Sequence, residues 1–181
     1  MRVIGGTAKG RALKAVPGDS TRPILDRVKV PLFDILRPAL PGLSVLDLFG
    51  GTGSVGIEAL SQGAEQCVFL DTNAKAIATI KHNLDVTGLA PKAEVRHTDA
   101  FIYLRNTSRS FGLIYVAPPQ YKGVWIEALR VIAERPHLLA PGGMVVVQID
   151  PKELEAIGLA TLKERQQRKY GSTLLIFYEA C

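Results

Sequence analysis

Strand-like and helix-like patterns alternate along most of this chain. Short apolar runs that predict strands are followed by stretches with apolar residues three or four positions apart, which predict amphipathic helices. The predicted strands are residues 43–48, 66–71, 93–97, 111–117 and 143–149, and the predicted helices are residues 54–62, 73–87, 99–106 and 123–135. This alternation indicates an α/β fold with a parallel sheet and helices on both faces.

The C-terminal part of the chain breaks this alternation. Residues 159–169 and 172–179 predict two strands joined by a tight turn at Tyr170 and Gly171. A tight hairpin forms an antiparallel pair, which we place at one edge of the sheet. Dehydrogenases with a similar sheet usually remain parallel and add a second domain, whereas a terminal antiparallel hairpin is typical of methyltransferases. We therefore expect seven strands, mostly parallel, that end in an antiparallel hairpin.

Two short helices complete the predicted elements. One begins near Leu32 and ends at Arg37, with Pro31 tolerated only in its first turn because proline lacks the N–H that a helix interior requires. The other lies near residues 151–157. Both connect longer elements, so neither changes the predicted fold class.

A glycine-rich turn at residues 47–56, D-L-F-G-G-T-G-S-V-G, joins the first strand to its helix. Gly51, Gly53 and Gly56 satisfy the G-x-G-x-x-G spacing of dinucleotide-binding turns, and Asp71 ends the next strand, where such turns carry a ribose ligand. Asp47 favours a different ligand, because a carboxylate opposes a pyrophosphate but pairs with the cationic amino-acid group of S-adenosylmethionine. Both cofactors are compatible with the turn, and the methyl donor is preferred.

Ligands of open α/β sheets bind beyond the carboxyl ends of the strands. Asp71 is placed to accept hydrogen bonds from ribose hydroxyls, and Asp99 and Ala100 to meet the adenine edge. Asp99 is also a candidate N-cap of its helix, a role compatible with adenine contact. The predicted cofactor-binding residues are Asp47, Phe49, Gly50, Gly51, Gly53, Asp71, Thr72, Asp99 and Ala100.

The loop after the fourth strand carries the candidate catalytic residues. They are Ala117, Pro118, Pro119, Gln120 and Tyr121. Two consecutive prolines fix the backbone and offer carbonyl groups with no N–H of their own, which makes a rigid hydrogen-bond-accepting edge. The aromatic ring beside this edge is suited to stacking on a base.

The positive charge of the chain is concentrated at its N-terminus. Residues 1–30 contain seven basic and two acidic side chains, whereas the other 151 residues contain 15 of each, since the chain has 22 basic and 17 acidic residues and a net charge of +5. Such a segment suits a polyanion, although a solvated tail has the same composition. Interspersed glycines and apolar residues favour a small folded hairpin. The predicted nucleic-acid-binding residues are Arg2, Lys9, Arg11, Lys14, Arg22 and Arg27.

Composition indicates the class of protein and the kinds of site that the chain is expected to have. Hydrophobic residues make up 47% of the chain and charged residues 22%, as in soluble globular proteins. We expect a cytoplasmic protein, because no segment has the apolar length of a membrane span or the pattern of a signal peptide. We expect a monomer, because no large exposed apolar stripe stands out in the sequence. Two cysteines and three scattered histidines predict neither a disulfide framework nor a metal site. The expected domains are a basic nucleic-acid-binding extension, residues 1–30, and a methyltransferase domain, residues 31–181.

Several longer motifs resemble one family. They are R-V-I-G-G-x-x-x-G-R-x-L from Arg2, R-P-x-x-D-R-V from Arg22, V-L-D-L-F-G-G-T-G-S-V-G-I-E-A-L-S-Q-G-A from Val45, the Pro-Pro loop, and R-K-Y-G-S-T from Arg168. Together they resemble the RsmD-type methyltransferases, which modify the N2 amine of a guanine in small-subunit ribosomal RNA.

The resemblance implies a class I S-adenosylmethionine-dependent methyltransferase fold of Rossmann-like type, and a basic extension that grips ribosomal RNA or the small ribosomal subunit. It matches Asp47, Gly51 and Gly53 to the donor turn, Asp71 to the ribose acid and Asp99 to the adenine contact.

This chain differs from the family in the loop that carries the candidate catalytic residues. The loop of the family resembles Asp/Asn-Pro-Pro-Phe/Tyr, but this chain has Ala117 in the first position and Gln120 in the fourth. Pro118 keeps its carbonyl, Gln120 offers an amide oxygen, and Tyr121 places an aromatic ring one position later. Two alternatives stay open: an adenine-N6 methyltransferase, and an RNA-binding assembly factor that holds the donor without turnover.

Overall fold

The computed structural model describes residues 1–18 and 23–181, so the predicted RNA-binding residue Arg22 lies outside the described part of the chain. The chain divides into two compact units, Met1–Asp99 and Ala100–Cys181. The predicted boundary at residue 30 stays a prediction. The structure places a helix across that position.

The first unit carries the glycine-rich turn. Its elements are α1 (Asp26–Leu36), β1 (Ser44–Asp47), α2 (Ser54–Ser61), β2 (Gln66–Asp71), α3 (Ala74–Thr87) and β3 (Ala93–His97), with 3-10 turns at Arg37–Ala39 and Ala90–Lys92. Its three strands are parallel and lie in the order β3-β2-β1. In register, Asp47 pairs with Phe69 and Asp71 with His97, so the strands end at one edge of this part of the sheet.

Helix α2 packs unusually closely on the sheet. All eight of its residues are buried. A Cβ atom added at Gly56 would lie 2.3 Å from Cε1 of Phe69, so only glycine fits there. This contact explains the third glycine of the G-x-G-x-x-G spacing as a packing requirement between helix and strand.

Helix α1 begins earlier than its sequence predicts. It starts at Asp26, which places Pro31 in its interior, contrary to the expectation that Pro31 would lie in the first turn. Pro31 has no N–H for the carbonyl of Arg27, so one helical hydrogen bond is lost. Burial of Val28, Leu32 and Phe33, each at most 1% exposed, offsets this loss.

The second unit contains the Pro-Pro loop and the hairpin. Its elements are α4 (Ala100–Asn106), β4 (Phe111–Val116), α5 (Val124–Glu134), β5 (Leu139–Ile149), β6 (Leu162–Tyr170) and β7 (Thr173–Ala180), with 3-10 turns at Pro136–Leu138 and Pro151–Glu153. The strand order is β4-β5-β7-β6, with β4 and β5 parallel and β7 antiparallel to both of its neighbours. Every residue of β4 is buried.

Several elements of this unit differ from the sequence prediction. Strand β6 begins at Leu162 instead of residue 159, and the hairpin turn lies at Gly171 and Ser172 instead of Tyr170 and Gly171. Strand β5 starts at Leu139, which pairs with Phe111 before a register shift, although Pro141 and Gly142 indicate a break. The helix predicted near 151–157 is a single 3-10 turn that ends at Glu153. A longer helix would have little apolar surface to bury there, since Leu154 is 46% exposed.

The predicted fold class is confirmed. The sheet has seven strands, is mostly parallel, and ends in an antiparallel hairpin, as in class I methyltransferases with a Rossmann-like fold. Within the described residues, no helix is long and apolar enough to cross a membrane.

Candidate functional site

The glycine-rich turn is fixed by backbone hydrogen bonds. The N–H of Gly50 donates to the carbonyl of Leu70 at 2.7 Å, and the N–H of Gly53 donates to the carbonyl of Gly50 at 2.8 Å. Gly51 and Gly53 have φ angles of 57° and 80°, in the left-handed region that favours glycine. A Cβ atom at Gly50 would lie 2.8 Å from Cδ1 of Ile80. The turn therefore has a defined shape, in which the positive φ angles favour glycine at Gly51 and Gly53.

Asp71 links this turn to the end of β2. One of its carboxylate oxygens accepts the N–H of Gly51 at 3.0 Å, and the other accepts the N–H of Asn73 at 2.8 Å. Each oxygen has a second lone pair, so these bonds leave capacity for ligand hydroxyls. The sequence predicts the ligand-binding role of Asp71 but not this structural one.

Asp47 is a buried acid beneath the turn. It is 2% exposed, and its Oδ1 atom has no hydrogen-bond partner in the described chain. Burial raises the pKa of its carboxyl group to about 7, and the negative charge of Asp71 adds to that rise, whereas backbone N–H groups of Gly56 and Phe49 oppose it. A cation brought to this carboxylate would supply the missing partner.

The other predicted cofactor-binding residues lie around these two acids or at the next strand end. Phe49 is half-buried, and Thr72 is exposed and accepts a hydrogen bond at its carbonyl from Nε2 of His97 at 2.8 Å. Asp99 is half-buried and ends the first unit, and Ala100 is buried and begins the second. Their ligand contacts stay predictions.

The N-terminal segment, residues 1–18, is folded, in agreement with the predicted hairpin. The N–H of Val3 donates to the carbonyl of Arg11 at 3.0 Å, and the N–H of Gly10 donates to the carbonyl of Val3 at 2.8 Å. Four of its apolar side chains are buried, whereas its predicted RNA-binding side chains, Arg2, Lys9, Arg11 and Lys14, are exposed. The buried ones are Val3, Ala8, Leu13 and Val16. Arg27, on α1, is exposed as well.

A buried ion pair attaches this N-terminal segment to α2. Lys29 and Glu58 are both fully buried, with Nζ and Oε1 3.0 Å apart. The Glu58 carboxylate also accepts the N–H groups of Ile4 and Gly5 at 2.8 and 3.0 Å. Lys29 donates further to the Oγ atom of Ser54 at 2.9 Å. Its charge therefore belongs to the core and adds nothing to the exposed basic surface.

Asn83 makes a second attachment between the N-terminal segment and the glycine-rich turn. Its amide accepts the N–H of Lys14 at 2.8 Å and donates to the carbonyls of Lys14 and Thr52 at 3.0 and 2.9 Å. Sequence reasoning missed both Asn83 and Lys29 as structural residues. The available signal was their helical spacing from apolar residues, since Asn83 follows Ile80 by three positions and Lys29 precedes Leu32 by three.

The Pro-Pro loop of the second unit has an unusual backbone at its last residue. Ala117, Pro118 and Gln120 are half-buried, whereas Pro119 is exposed. Tyr121 is 61% exposed and has a φ angle of 63°, the one positive φ of a non-glycine residue in the described chain. Two acids outside the predicted site, Asp150 and Glu153, hold it by hydrogen bonds.

Comparisons with known proteins decide the family. The model of the family described as "Conserved hypothetical protein 95" matches residues 1–179. The chain is 38% identical over 182 residues to YlbH of Bacillus subtilis, provisionally named an rRNA methyltransferase, across 99% of this chain and 98% of that protein. The chain belongs to the RsmD-type family.

Two further proteins from Escherichia coli extend the comparison. Ribosomal RNA small subunit methyltransferase D of Escherichia coli is 30% identical over 134 residues, which cover 74% of this chain and 67% of the relative. The solved structure of yhhF from Escherichia coli, provisionally named a methyltransferase, superposes with a TM-score of 0.86 at 28% identity. The superposition covers 99% of this chain and 97% of the yhhF chain.

The described residues contain no group of three or more potential metal-binding side chains.

Proposed function

We propose that this RsmD-type chain transfers a methyl group from S-adenosylmethionine to the exocyclic N2 amine of a guanine in small-subunit ribosomal RNA. Family membership supports the reaction class, and the names of the relatives support ribosomal RNA as the substrate. The observation that carries the proposal is the unpartnered Oδ1 atom of buried Asp47 beneath the glycine-rich turn. Residues 1–30 form the RNA-binding extension of the proposed enzyme, and residues 31–181 its catalytic domain.

The residues of the turn fit the donor. The α-amino group of S-adenosylmethionine is cationic, which suits the buried Asp47 carboxylate, and its ribose hydroxyls suit the remaining lone pairs of Asp71. Asp99 and Ala100 are assigned to the adenine edge. When bound, the donor supplies an electrophilic methyl group on a sulfonium. A dinucleotide fits less well, because its pyrophosphate would meet two carboxylates.

The Pro-Pro loop supplies the acceptor side of the reaction. An exocyclic amine is a weak nucleophile because its lone pair is delocalised into the purine ring. The carbonyl of Pro118 and the amide oxygen of Gln120 accept the amine hydrogens, which directs the lone pair toward the methyl carbon. Methyl transfer would replace the carbon–sulfur bond of the donor with a nitrogen–carbon bond, and the amine would lose one proton to water. Tyr121 stacks on the guanine base after it leaves its helix or loop.

Replacing Gln120 with alanine is expected to lower kcat by roughly 30- to 1000-fold, because one positioned hydrogen-bonding group contributes about 2 to 4 kcal/mol to catalysis. Donor affinity should not change. Single-turnover methyl transfer measures the effect, with Gln66→Ala, an exposed glutamine on β2, as the matched control. Turnover equal to that of the wild type would remove Gln120 from the mechanism.

Reversing the charge of Lys9, Arg11 and Lys14 is expected to weaken RNA binding and to reduce the slope of log affinity against log salt by about 2 to 3, since three phosphate contacts are lost. Arg2 is left intact because its guanidinium donates to the carbonyl of Gly10 within the same segment at 2.9 Å. Filter binding across salt concentrations measures the slope.

A matched control for the basic surface reverses Lys75, Lys81 and Lys92, three exposed lysines elsewhere in the first unit. These variants carry the same change in net charge. An equal loss of RNA affinity in both triple variants would contradict a specific RNA surface and indicate a general charge effect. Affinity for S-adenosylmethionine should stay constant in both.

The reaction itself is tested with tritiated S-adenosylmethionine and small ribosomal subunits from a strain that lacks its own enzyme of this type. Labelled N2-methylguanosine after RNA digestion supports the proposal, and labelled N6-methyladenosine supports an adenine methyltransferase instead. Donor binding without label supports the second candidate, an assembly factor. Ala117 favours that candidate, because its methyl group accepts no hydrogen bond where the family has an acidic or amide side chain.

A further inference from the structure

Tyr121 occupies a backbone conformation that its side chain disfavours. A φ angle of 63° is common for glycine and rare for an aromatic residue. Burial does not stabilise this arrangement, because 61% of the residue is exposed. The surrounding structure must therefore hold Tyr121 in place, and strain of this kind concentrates at functional sites.

Two acidic side chains hold it. Glu153 accepts the N–H of Tyr121 at its Oε1 atom at 2.8 Å, and Asp150 accepts the phenol O–H at its Oδ2 atom at 2.6 Å. One of these bonds fixes the backbone and the other fixes the direction of the ring. The remaining oxygens of the two acids also have partners. The other Glu153 oxygen accepts the N–H of Asp150 at 3.1 Å, and the other Asp150 oxygen accepts the N–H of Lys152 at 2.9 Å.

This arrangement couples two segments of the second unit. Asp150 and Glu153 form a reciprocal cap of the 3-10 turn after β5. Hydrogen bonds within that turn therefore fix both side chains independently of their contacts with the loop. They are therefore preorganised acceptors, and the geometry of Tyr121 follows from the geometry of that turn.

We propose that Asp150 and Glu153 are positioning residues that hold the Tyr121 ring where the acceptor base stacks. The aromatic residue of this loop follows Pro119 by two positions instead of one, since Gln120 intervenes. The left-handed conformation at Tyr121 reverses the direction of the chain after that extra residue, and the two acids stabilise it. This inference rests on the proposed function, because the base is the substrate of that reaction.

The experiment is a double-mutant cycle of Glu153→Ala and Tyr121→Gly in the full chain. Each single variant is expected to lower kcat by roughly tenfold to a hundredfold, because stacking on one base is lost or misdirected. The RNA KM should change less than threefold, since the exposed basic residues provide most of the affinity, and the Kd of S-adenosylmethionine should not change. If Glu153 acts through Tyr121, the double variant is no slower than Tyr121→Gly alone.

Thermal unfolding of Tyr121→Gly and substitutions of Asp150 separate positioning from folding. Glycine adopts the left-handed region without strain, so Tyr121→Gly is expected to keep the thermal midpoint of the wild type or to raise it while kcat falls. Asp150→Asn keeps one oxygen to accept the N–H of Lys152 and places an amide N–H that can donate to the phenol oxygen, so it should restore most of the activity that Asp150→Ala loses. Glu155→Ala, an exposed acid just beyond the turn, is the matched control and should behave as wild type.

The outcomes separate this inference from the function on which it rests. Wild-type chain that transfers no label to RNA overturns the proposed function and the inference with it. Wild-type activity with additive losses in the double variant overturns only the positioning role. A Tyr121→Gly variant that unfolds at a lower temperature in proportion to its loss of kcat also overturns that role, because Tyr121 would then be a structural residue.

Discussion

Replacing Glu58 with alanine is expected to lower the free energy of unfolding by about 3 to 5 kcal/mol, because it leaves the buried ammonium of Lys29 without a counter-charge. The same change removes the acceptor of two backbone N–H groups, those of Ile4 and Gly5. Urea denaturation measures the loss. We also expect residues 1–18 to become susceptible to proteolysis, since this side chain attaches them to α2.

Two other variants test the cause of that loss. Glu65→Ala, an exposed acid just past α2, is the matched control and should change stability by less than about 0.5 kcal/mol. The double variant Lys29→Met, Glu58→Met should recover much of the stability, because a buried ion pair replaced by apolar side chains of similar volume is often neutral. A Glu58→Ala variant as stable as the control would show that the ion pair contributes no net stability.

Local sequence signals predicted the elements whose limits are set locally. Strands β2 and β3 have the predicted bounds because an apolar run in β2, and alternating apolar and charged residues in β3, lie between turn residues. Helix α3 begins after Asn73, whose side chain accepts the N–H of Lys75, and ends at Gly88 with a φ of 71°. Both are capping signals that a sequence displays directly.

Long-range pairs were not predictable in the same way. Helical spacing places Lys29 on the apolar face of α1, but its partner Glu58 comes from a different helix, and nothing local to either residue identifies the other. The same holds for Tyr121, which is held by two acids about thirty positions later in the chain. The early start of α1 has this cause too, since tertiary burial outweighs the local preference against Pro31 in a helix interior.

The N-terminal segment is also connected to the glycine-rich turn by hydrogen bonds. Its backbone is bonded to Glu58 and Asn83, and Asn83 also donates to the carbonyl of Thr52 within the glycine-rich turn. The exposed basic side chains and the turn therefore lie on one continuous hydrogen-bonded framework within the first unit. We expect Glu58→Ala to weaken donor binding as well as stability, whereas the charge reversals at Lys9, Arg11 and Lys14 change neither.

Replacing Asp47 with asparagine is expected to raise the Kd of S-adenosylmethionine by roughly 30-fold to several thousandfold, because loss of one partner of a buried charged pair costs about 2 to 5 kcal/mol. The wild-type affinity should depend on pH. The pKa of Asp47 is about 7 in the protein without donor, so below pH 7 the carboxyl group must lose a proton before it pairs with the donor's cation. The affinity for the donor should therefore decrease up to tenfold for each unit by which the pH is lowered below 7.

Titration calorimetry from pH 5.5 to 8.5 measures both effects. The wild-type chain should release a proton to the buffer on binding donor below pH 7, whereas Asp47→Asn should release none. Asp85→Asn, an exposed acid on α3, is the control and should keep the wild-type profile. A wild-type affinity that is independent of pH across this range would contradict the proposed pairing of Asp47 with the donor.

The same substitution is expected to stabilise the protein at neutral and alkaline pH. The pKa of Asp47 is about 7 in the fold and 3.8 as a free side chain, so between these values the folded chain binds more protons than the unfolded chain. Stability therefore decreases as pH rises from about 4 to 7, by at most about 4 kcal/mol, and Asp47→Asn removes this decrease. Urea denaturation should show the variant to be more stable than wild type at pH 8, with the difference vanishing near pH 4. A less stable variant at pH 8 would mean that the Asp47 carboxylate supports the fold, whereas a more stable variant that binds donor poorly would show that this buried charge is retained for its ligand.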